Sequence, residues 1–276
     1  MMKQQKTFKL MMLSASMLML SPMVGAVGAS GASAGATFCY GPECELPPEK
    51  WSEEFHDCGG SAQSPIDIVG AEDNDSLPAI EFHYTDNALA VLNNGHTTEV
   101  EVEEGKNHIM VGGEKCELLQ FHFHTESEHT VNGKHSAVEG HLVHLCESGR
   151  NAVVGVLFEE KGGKGNAALG AALDHSPYDR KTHSYVVGEV EIEGKTVNPA
   201  DLLPSDTSYY RYDGSLTTPG CSEVVDWYVL TNPMHVSKKQ VKTFEGILED
   251  TSPDEFDNNN RPVQDLNGRP VEKSAE

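Results

Sequence analysis

The sequence predicts a mainly β protein: a single domain built on one large, twisted, mostly antiparallel sheet, with a few short peripheral helices. Three observations lead there. From Tyr40 onward the chain is made of short segments in which apolar and polar residues alternate, separated by Gly, Asn, Asp and Pro. That is the pattern of half-buried strands and turns. Helical periodicity is confined to two short stretches. No repeat, heptad or long low-complexity block interrupts the 276 residues, and no linker divides them, so one domain is expected.

The elements follow in order. Ala88-Leu89-Ala90-Val91-Leu92 reads as a strand stopped by Asn93-Asn94-Gly95, and Thr98-Glu99-Val100-Glu101-Val102 alternates cleanly before Glu104-Gly105. Leu118 to His124 and Glu139 to Leu145 are two histidine-bearing strands, and Ala152 to Phe158 is an apolar, buried one. Tyr185 to Ile192 alternates again, and Val224 to Leu230 reads as a core strand. Ala167 to Leu173 is a short helix; Lys238 to Leu248 is a better one, with Ser237 as its N-cap. The domain is expected over 37–270, with 271–276 as a flexible tail.

Residues 1–36 are read as a leader outside the fold. Lys3, Lys6 and Lys9 precede an apolar run from Leu10 to about Ala29, and Ala32-Ser33-Ala34 follows. This is the layout of a secretory signal cleaved near Ala34 or Ala36. The run is broken by Ser14, Ser16, Ser21 and Pro22 and is short for a membrane span. The expected product is exported, periplasmic or secreted, with no membrane attachment after cleavage.

A formal net charge of -23, made larger when the three leader lysines are removed, repels nucleic acid and anionic membranes and offers no phosphate-binding patch. The acids are scattered and form no twelve-residue calcium loop. Six cysteines follow the leader, and an even count on an exported chain suggests disulfides, of which six cysteines allow 15 pairings. Zinc thiolate chemistry is the alternative, but no Cys-x-x-Cys pair exists. Local spacing favours Cys39–Cys44. Cys116 lies six residues before His122 and Cys146 five after His141, so a hairpin joining those histidines brings the cysteines together to within about one residue of register. Cys58–Cys221 remains.

The chemistry is concentrated in Gln120-Phe121-His122-Phe123-His124 and Glu139-Gly140-His141-Leu142-Val143-His144. In a strand, side chains alternate, so a His-x-His pair puts both imidazoles on one face. With His141 from a partner strand, three neutral nitrogens and an open fourth position make the arrangement of a catalytic zinc site. Gln120 and Glu139 each lie two residues before a ligand, on the same face, and are group types that fix the tautomer of a metal-bound imidazole. His144 faces the other way, and His129 reads as a buried structural residue. His56, His83, His108, His175, His183 and His235 read as structural too.

These motifs, with others, resemble the alpha-class carbonic anhydrases of exported bacterial type over about Tyr40 to Arg269. Gln63-Ser64-Pro65-Ile66-Asp67-Ile68 is similar to that family's entry motif, and Asn93-Asn94-Gly95-His96 to the turn bearing its proton shuttle. Gln120 to His124, Glu128-His129-Thr130-Val131 and Glu139 to His144 follow its zinc block in order. Ser215-Leu216-Thr217-Thr218-Pro219, with Trp227 ten residues beyond Thr217, resembles its gatekeeper loop, and Asn259-Asn260-Arg261-Pro262 its C-terminal signature.

The resemblance implies a Zn2+ cofactor on His122, His124 and His141, with Gln120, Glu139 and Asn259 behind them. It implies reversible hydration of CO2 to bicarbonate and a proton, by hydroxide held at the fourth zinc position, with esterase activity on the side. Thr217 and Glu128 would aim the attacking oxygen, and Thr218 would help bind bicarbonate. Val143, Val153, Leu216, Val225 and Trp227 would form an apolar wall for CO2. His96 would carry the proton out, over waters ordered by Tyr40, Asn94 and Glu99. A monomer or homodimer is implied by the bacterial relatives. Two departures stand out: Glu99 replaces the usual neutral polar residue, and Thr125 stands where the family often has Trp. A non-catalytic binding domain of the same fold is the second reading, although no zinc histidine is missing. A zinc hydrolase is the third, although its usual His-Glu-x-x-His helix is absent.

Overall fold

A computed structural model describes residues 38–276; the expected leader, 1–36, lies outside them. A mixed sheet of 13 strands organises the described chain. Its main path runs from Gly188–Val197 through Asn87–Asn93, Thr98–Glu101, Glu114–His124, Val138–Cys146 and Asn151–Glu160 to Val225–Leu230 and Tyr209–Gly214. Most neighbours are antiparallel. Asn151–Glu160 runs parallel to both Val225–Leu230 and Met234–Val236, and Glu272–Lys273 runs parallel to Glu72–Asp73.

The histidine strands are longer than the sequence suggests, because Glu114–Glu117 also pairs, with His108–Val111. The expected strand from Tyr185 to Ile192 is two pieces. Ser184–Tyr185 pairs with Tyr178–Asp179 in a separate hairpin, and Gly188–Val197 joins the sheet. Within the expected tail, Glu272–Lys273 adds a strand between Tyr209–Gly214 and Glu72–Asp73. Buried Val271 and Ser274 flank it, and Asn74 Nδ2 donates to Glu272 Oε1 at 2.6 Å. Backbone pairing, which leaves no mark on such a polar sequence, holds it down.

One face of the sheet packs against the two helices. Ala167–Asp174 is capped by Asn166, whose side chain accepts from Leu169 N–H. Lys238–Thr251 begins with a capping box of Ser237 and Gln240, which satisfies two of the donors a helix start leaves unpaired. Val241, Phe244, Ile247 and Leu248 are the buried residues of that helix and belong to the same core cluster as Val154, Val156 and Phe158. The other face carries the histidines.

Disulfides join Cys39 to Cys44 and Cys116 to Cys146, the pairs that spacing and register suggest, and Cys58 to Cys221, the pair that remained. Cys58–Cys221 spans 163 residues, a closure worth about 5 kcal/mol in the chain-entropy picture. Cys116 sits directly opposite Cys146 although the counts to His122 and His141 differ. A β-bulge between Val143 and His144 absorbs the odd residue.

His144 points through the sheet into the core. Its Nδ1–H donates to Ala152 O (3.0 Å) and its Nε2 lies 2.8 Å from Tyr84 Oη. Burial pushes the imidazole down to about 4. A folded-state value below that of the unfolded chain means that protons favour unfolding. Stability is therefore expected to fall as pH drops from 6.5 toward about 4. In His144→Gln this part of the slope should flatten, as read from urea midpoints at about pH 7 and about pH 4.5. Phe244→Ala is expected to cost about 3–5 kcal/mol by the same measurement, against about 1 kcal/mol for Ser237→Ala.

Candidate metal centre

The register of two strands assembles the site. His141 lies directly across from His122, and Glu139 across from His124. Ring centroids are 5.1 Å apart for His122 and His124, 5.2 Å for His122 and His141, and 4.6 Å for His124 and His141. One nitrogen from each of the three comes within 4.8 Å of the other two.

Hydrogen bonds fix all three tautomers. His122 Nδ1–H donates to Gln120 Oε1, His124 Nδ1–H to the backbone oxygen of Asn259, and His141 Nε2–H to Glu139 Oε1, each at 2.9 Å. The lone pairs of His122 Nε2, His124 Nε2 and His141 Nδ1 are left to face one another. His124 Nε2 is buried and has no hydrogen-bond partner, which is costly unless something occupies it. Burial lowers the basicity of His122 and His124, and the neighbouring imidazoles add to the effect on His122. Neutral imidazoles are what a cation needs as ligands. The donor set, three nitrogens with one open direction, fits zinc.

Glu139 is completely buried. Besides His141, its Oε1 accepts from His129 Nδ1–H (2.7 Å), and its Oε2 accepts from His129 N–H (2.8 Å). Burial pushes the Glu139 carboxyl up, but His129 and His141 outweigh it and hold the group well below the ordinary carboxylate range. His129 Nε2 lies 2.6 Å from Tyr212 Oη, which donates to Ser64 Oγ at 2.9 Å. The sequence reading gave His129 and Ser64 no share in this chain, and Tyr212 carried no signal at all. Gly155, opposite His141, keeps the space free: a Cβ there would lie 3.0 Å from Glu139 Oε1.

Asn259 does more than its carbonyl suggests. Its Nδ2 donates to His96 O (2.8 Å) and Phe123 O (3.0 Å), and its Oδ1 accepts from Thr125 N–H at 2.9 Å. Thr125 Oγ1 donates to Ala137 O at 3.1 Å, so the small residue that replaces the family's Trp is tied into both strands' connections. Two residues on, Arg261 sends its backbone N–H to Glu128 Oε1 (2.9 Å). Its buried guanidinium binds Gln63 Oε1, Ser64 O and Cys58 O at 2.8–3.2 Å. Thr217 donates no hydrogen bond to Glu128 in this structure. Glu128 spends Oε1 on Arg261, and Oε2, 4.0 Å from His141 Nδ1, has no partner.

A cavity of about 280 Å³ opens onto the histidines, and Tyr40, Asn94, His96, Glu99, Gln120, His122, His124 and Thr218 line it. Thr217 is buried beside this group rather than on its surface. Val143, Val153 and Trp227 form a cross-strand row, and with Val225 and Leu216 they belong to one apolar cluster. Trp227 reaches His141 with its ring centroid 4.9 Å away. Val153, Val225 and Trp227 are fully covered, so Val143 and Leu216 are the part-exposed members. A larger surface depression near His56 and Glu223, about 530 Å³, carries no comparable set of ligands.

His96 stands in a tight turn. Asn94 Oδ1 accepts from the N–H groups of His96 and Thr97 at 2.9 and 3.0 Å, and Gly95 takes φ +86. Its imidazole stacks on Phe38, centroids 4.0 Å apart, a partner that sequence reasoning missed. Burial pushes the Glu99 carboxyl up to about 7, with the charge of Glu101 adding to the shift.

The sequence matches the family of eukaryotic-type carbonic anhydrases over residues 46–275. The chain belongs to the alpha carbonic anhydrase family. It is 38% identical over 234 residues to the carbonic anhydrase of Klebsiella pneumoniae, covering 83% of this chain and 88% of that one. Among solved structures it resembles the Photobacterium profundum alpha-carbonic anhydrase (TM-score 0.71, 38% identity, 82% of this chain and 96% of that one). It also resembles the Thermovibrio ammonificans enzyme in complex with sulfanilamide (TM-score 0.74, 38% identity, 87% and 100%). This carbonic anhydrase is thus a lyase of CO2 hydration. Among the described residues, no helix is long and apolar enough to cross a membrane.

The raised carboxyl of Glu99 shares its cavity with His96. Glu99→Asn is therefore expected to change the pH dependence of kcat for CO2 hydration in weak buffer. Unchanged proton-transfer kinetics would remove Glu99 from the proton path.

Proposed function

We propose that this carbonic anhydrase hydrates CO2 reversibly with a zinc ion held by His122 Nε2, His124 Nε2 and His141 Nδ1. The observation that carries the reading is the convergence of three lone pairs whose tautomers are each fixed from behind. When bound, zinc makes a coordinated water acidic enough to act as a nucleophile near neutrality, an effect for which carbonic anhydrases are themselves the reference case.

The chain's own residues do the rest. Val143 and Leu216 offer CO2 an apolar rest beside His141, backed by Val153, Val225 and Trp227. CO2 carries no charge to grip, so a surface that sheds water suits it. Glu128 Oε2, lacking a partner, is the acceptor to which the Thr217 hydroxyl donates in the working site, leaving the Thr217 oxygen to orient the nucleophile. Thr218, on the cavity wall, receives bicarbonate. His96 takes the released proton on its ring and passes it to solvent, while Tyr40 and Asn94 order the water between. Hydrolysis of activated esters follows as a side reaction of the same site.

Export through a leader at 1–36 is part of this proposal, supported by the three disulfides, which persist in oxidising compartments.

The test joins metal analysis to stopped-flow CO2 hydration. One zinc per chain is expected, with activity lost to a chelator and restored by zinc. A folded, zinc-loaded protein without hydration would sink the proposal. Glu139→Gln is expected to weaken zinc retention by roughly 10–100-fold, read by competition with a chromophoric chelator.

A further inference from the structure

The first described residues fold back over the mouth of the cavity. Cys39–Cys44 closes a small loop there, and Trp51 supports it from the side, edge-on to Phe38 and Tyr40 with centroids 5.4 and 5.5 Å away. Phe38, immediately before the disulfide, lies flat on the His96 imidazole, 12° from parallel.

Asp254, on the segment after the Lys238–Thr251 helix, fastens this loop. Its Oδ2 accepts from Gly41 N–H at 2.5 Å, across 213 residues of sequence. Gly41 is needed for that approach: a Cβ would lie 2.6 Å from the same oxygen and 2.9 Å from Phe256. Asp254 Oδ1 is buried without a hydrogen-bond partner, and so is His96 Nδ1. The end of the same helix also supports the shuttle turn, since Asn93 Nδ2 donates to Thr251 Oγ1 at 3.3 Å.

Burial lowers the basicity of His96, and the Asp254 carboxylate opposes it. The other titratable groups around the ring are Tyr40 on the loop, Glu99 on Thr98–Glu101, and His122 and His124 across the cavity. Tyr40 is held in its neutral form by burial, and Asp254 alone among them acts on His96 through its charge.

We infer that Asp254 is a positioning residue for the proton shuttle: through the Cys39–Cys44 loop it keeps Phe38 stacked on His96, and it presents a negative charge to that imidazole. This rests on the shuttle role proposed above. Proton export follows the chemical step, so a residue acting on His96 alone changes kcat and leaves kcat/KM in place.

The experiment is stopped-flow CO2 hydration by the zinc-loaded enzyme in weak buffer, across pH, for the parent, His96→Ala, Asp254→Asn and Asp254→Glu. His96→Ala is expected to lower kcat and keep kcat/KM. Asp254→Asn is expected to lower kcat severalfold at unchanged kcat/KM. Losing the opposing charge lowers the His96 pKa, so the midpoint of the kcat profile should move to lower pH. Asp254→Glu should recover most of both. If Asp254→Asn leaves kcat and its pH profile untouched while His96→Ala is impaired, the inference fails and the shuttle stands. Parallel losses in kcat and kcat/KM with a fixed midpoint would give Asp254 a merely structural role and also overturn it. An unimpaired His96→Ala would overturn both.

Discussion

Everything in this site depends on the register between Glu114–His124 and Val138–Cys146. His141 must lie opposite His122, and a slip of one residue would turn every side chain of one strand to the other face. His141, Glu139 and Val143 would then enter the core, and Gly140 or Leu142 would stand opposite His122. Two devices fix the register at the end away from the ligands: the bulge after Val143 and the Cys116–Cys146 bond beyond it. Phe121, Phe123 and Leu142, fully buried on the opposite face, hold the same register through packing.

Given that register, the remaining problem is to bury carboxylates and imidazoles together. Burying an ionised group is tolerated only when its hydrogen-bonding capacity is met. Glu139 meets the condition with two ring N–H donors and one backbone N–H. Glu128 meets half of it through Arg261. The segment from Asn259 to Arg261 therefore carries unusual weight. Its Asn259 and Arg261 reach His124, His96, Thr125, Glu128, Gln63 and Cys58, and so join the histidine triad, the His96 turn and the Cys58–Cys221 bridge. A net charge of -23 is spread over the surface, whereas the charges inside are few and paired.

The two halves of the site differ in how they are held. The three histidines sit on central strands; Gln120 and Glu139 support two of them from two residues away, and Asn259 supports the third from a distant segment. His96, the proposed shuttle, sits on a turn; Phe38 stacks on its ring, and Thr251 accepts a hydrogen bond from Asn93 of the same turn. The proposed reaction, with a fixed nucleophile and a proton carrier, suits that division.

The sequence by itself determined most of the central strands, the histidine triad and two of the groups behind it, because those rest on period-two alternation and on offsets of two residues. Gln120 and Glu139 were legible for that reason, and so was Cys116–Cys146, which follows from the same hairpin; Cys39–Cys44 was legible from local spacing, and Cys58–Cys221 only as the remaining pair. Only the tertiary structure decided the rest. The support of His124 is a backbone carbonyl 135 positions away, and a carbonyl has no signature in sequence. Tyr212, Phe38 and Asp254 are ordinary residue types that gain their roles from contacts across long stretches of chain. The last strand, Glu272–Lys273, is polar and short and exists through pairing alone. Thr217 and Glu128 share the site, but the Arg261 backbone takes one carboxylate oxygen and leaves the other without a partner. Local periodicity encodes which residues face the metal site; the packing of distant segments decides how each of them is oriented.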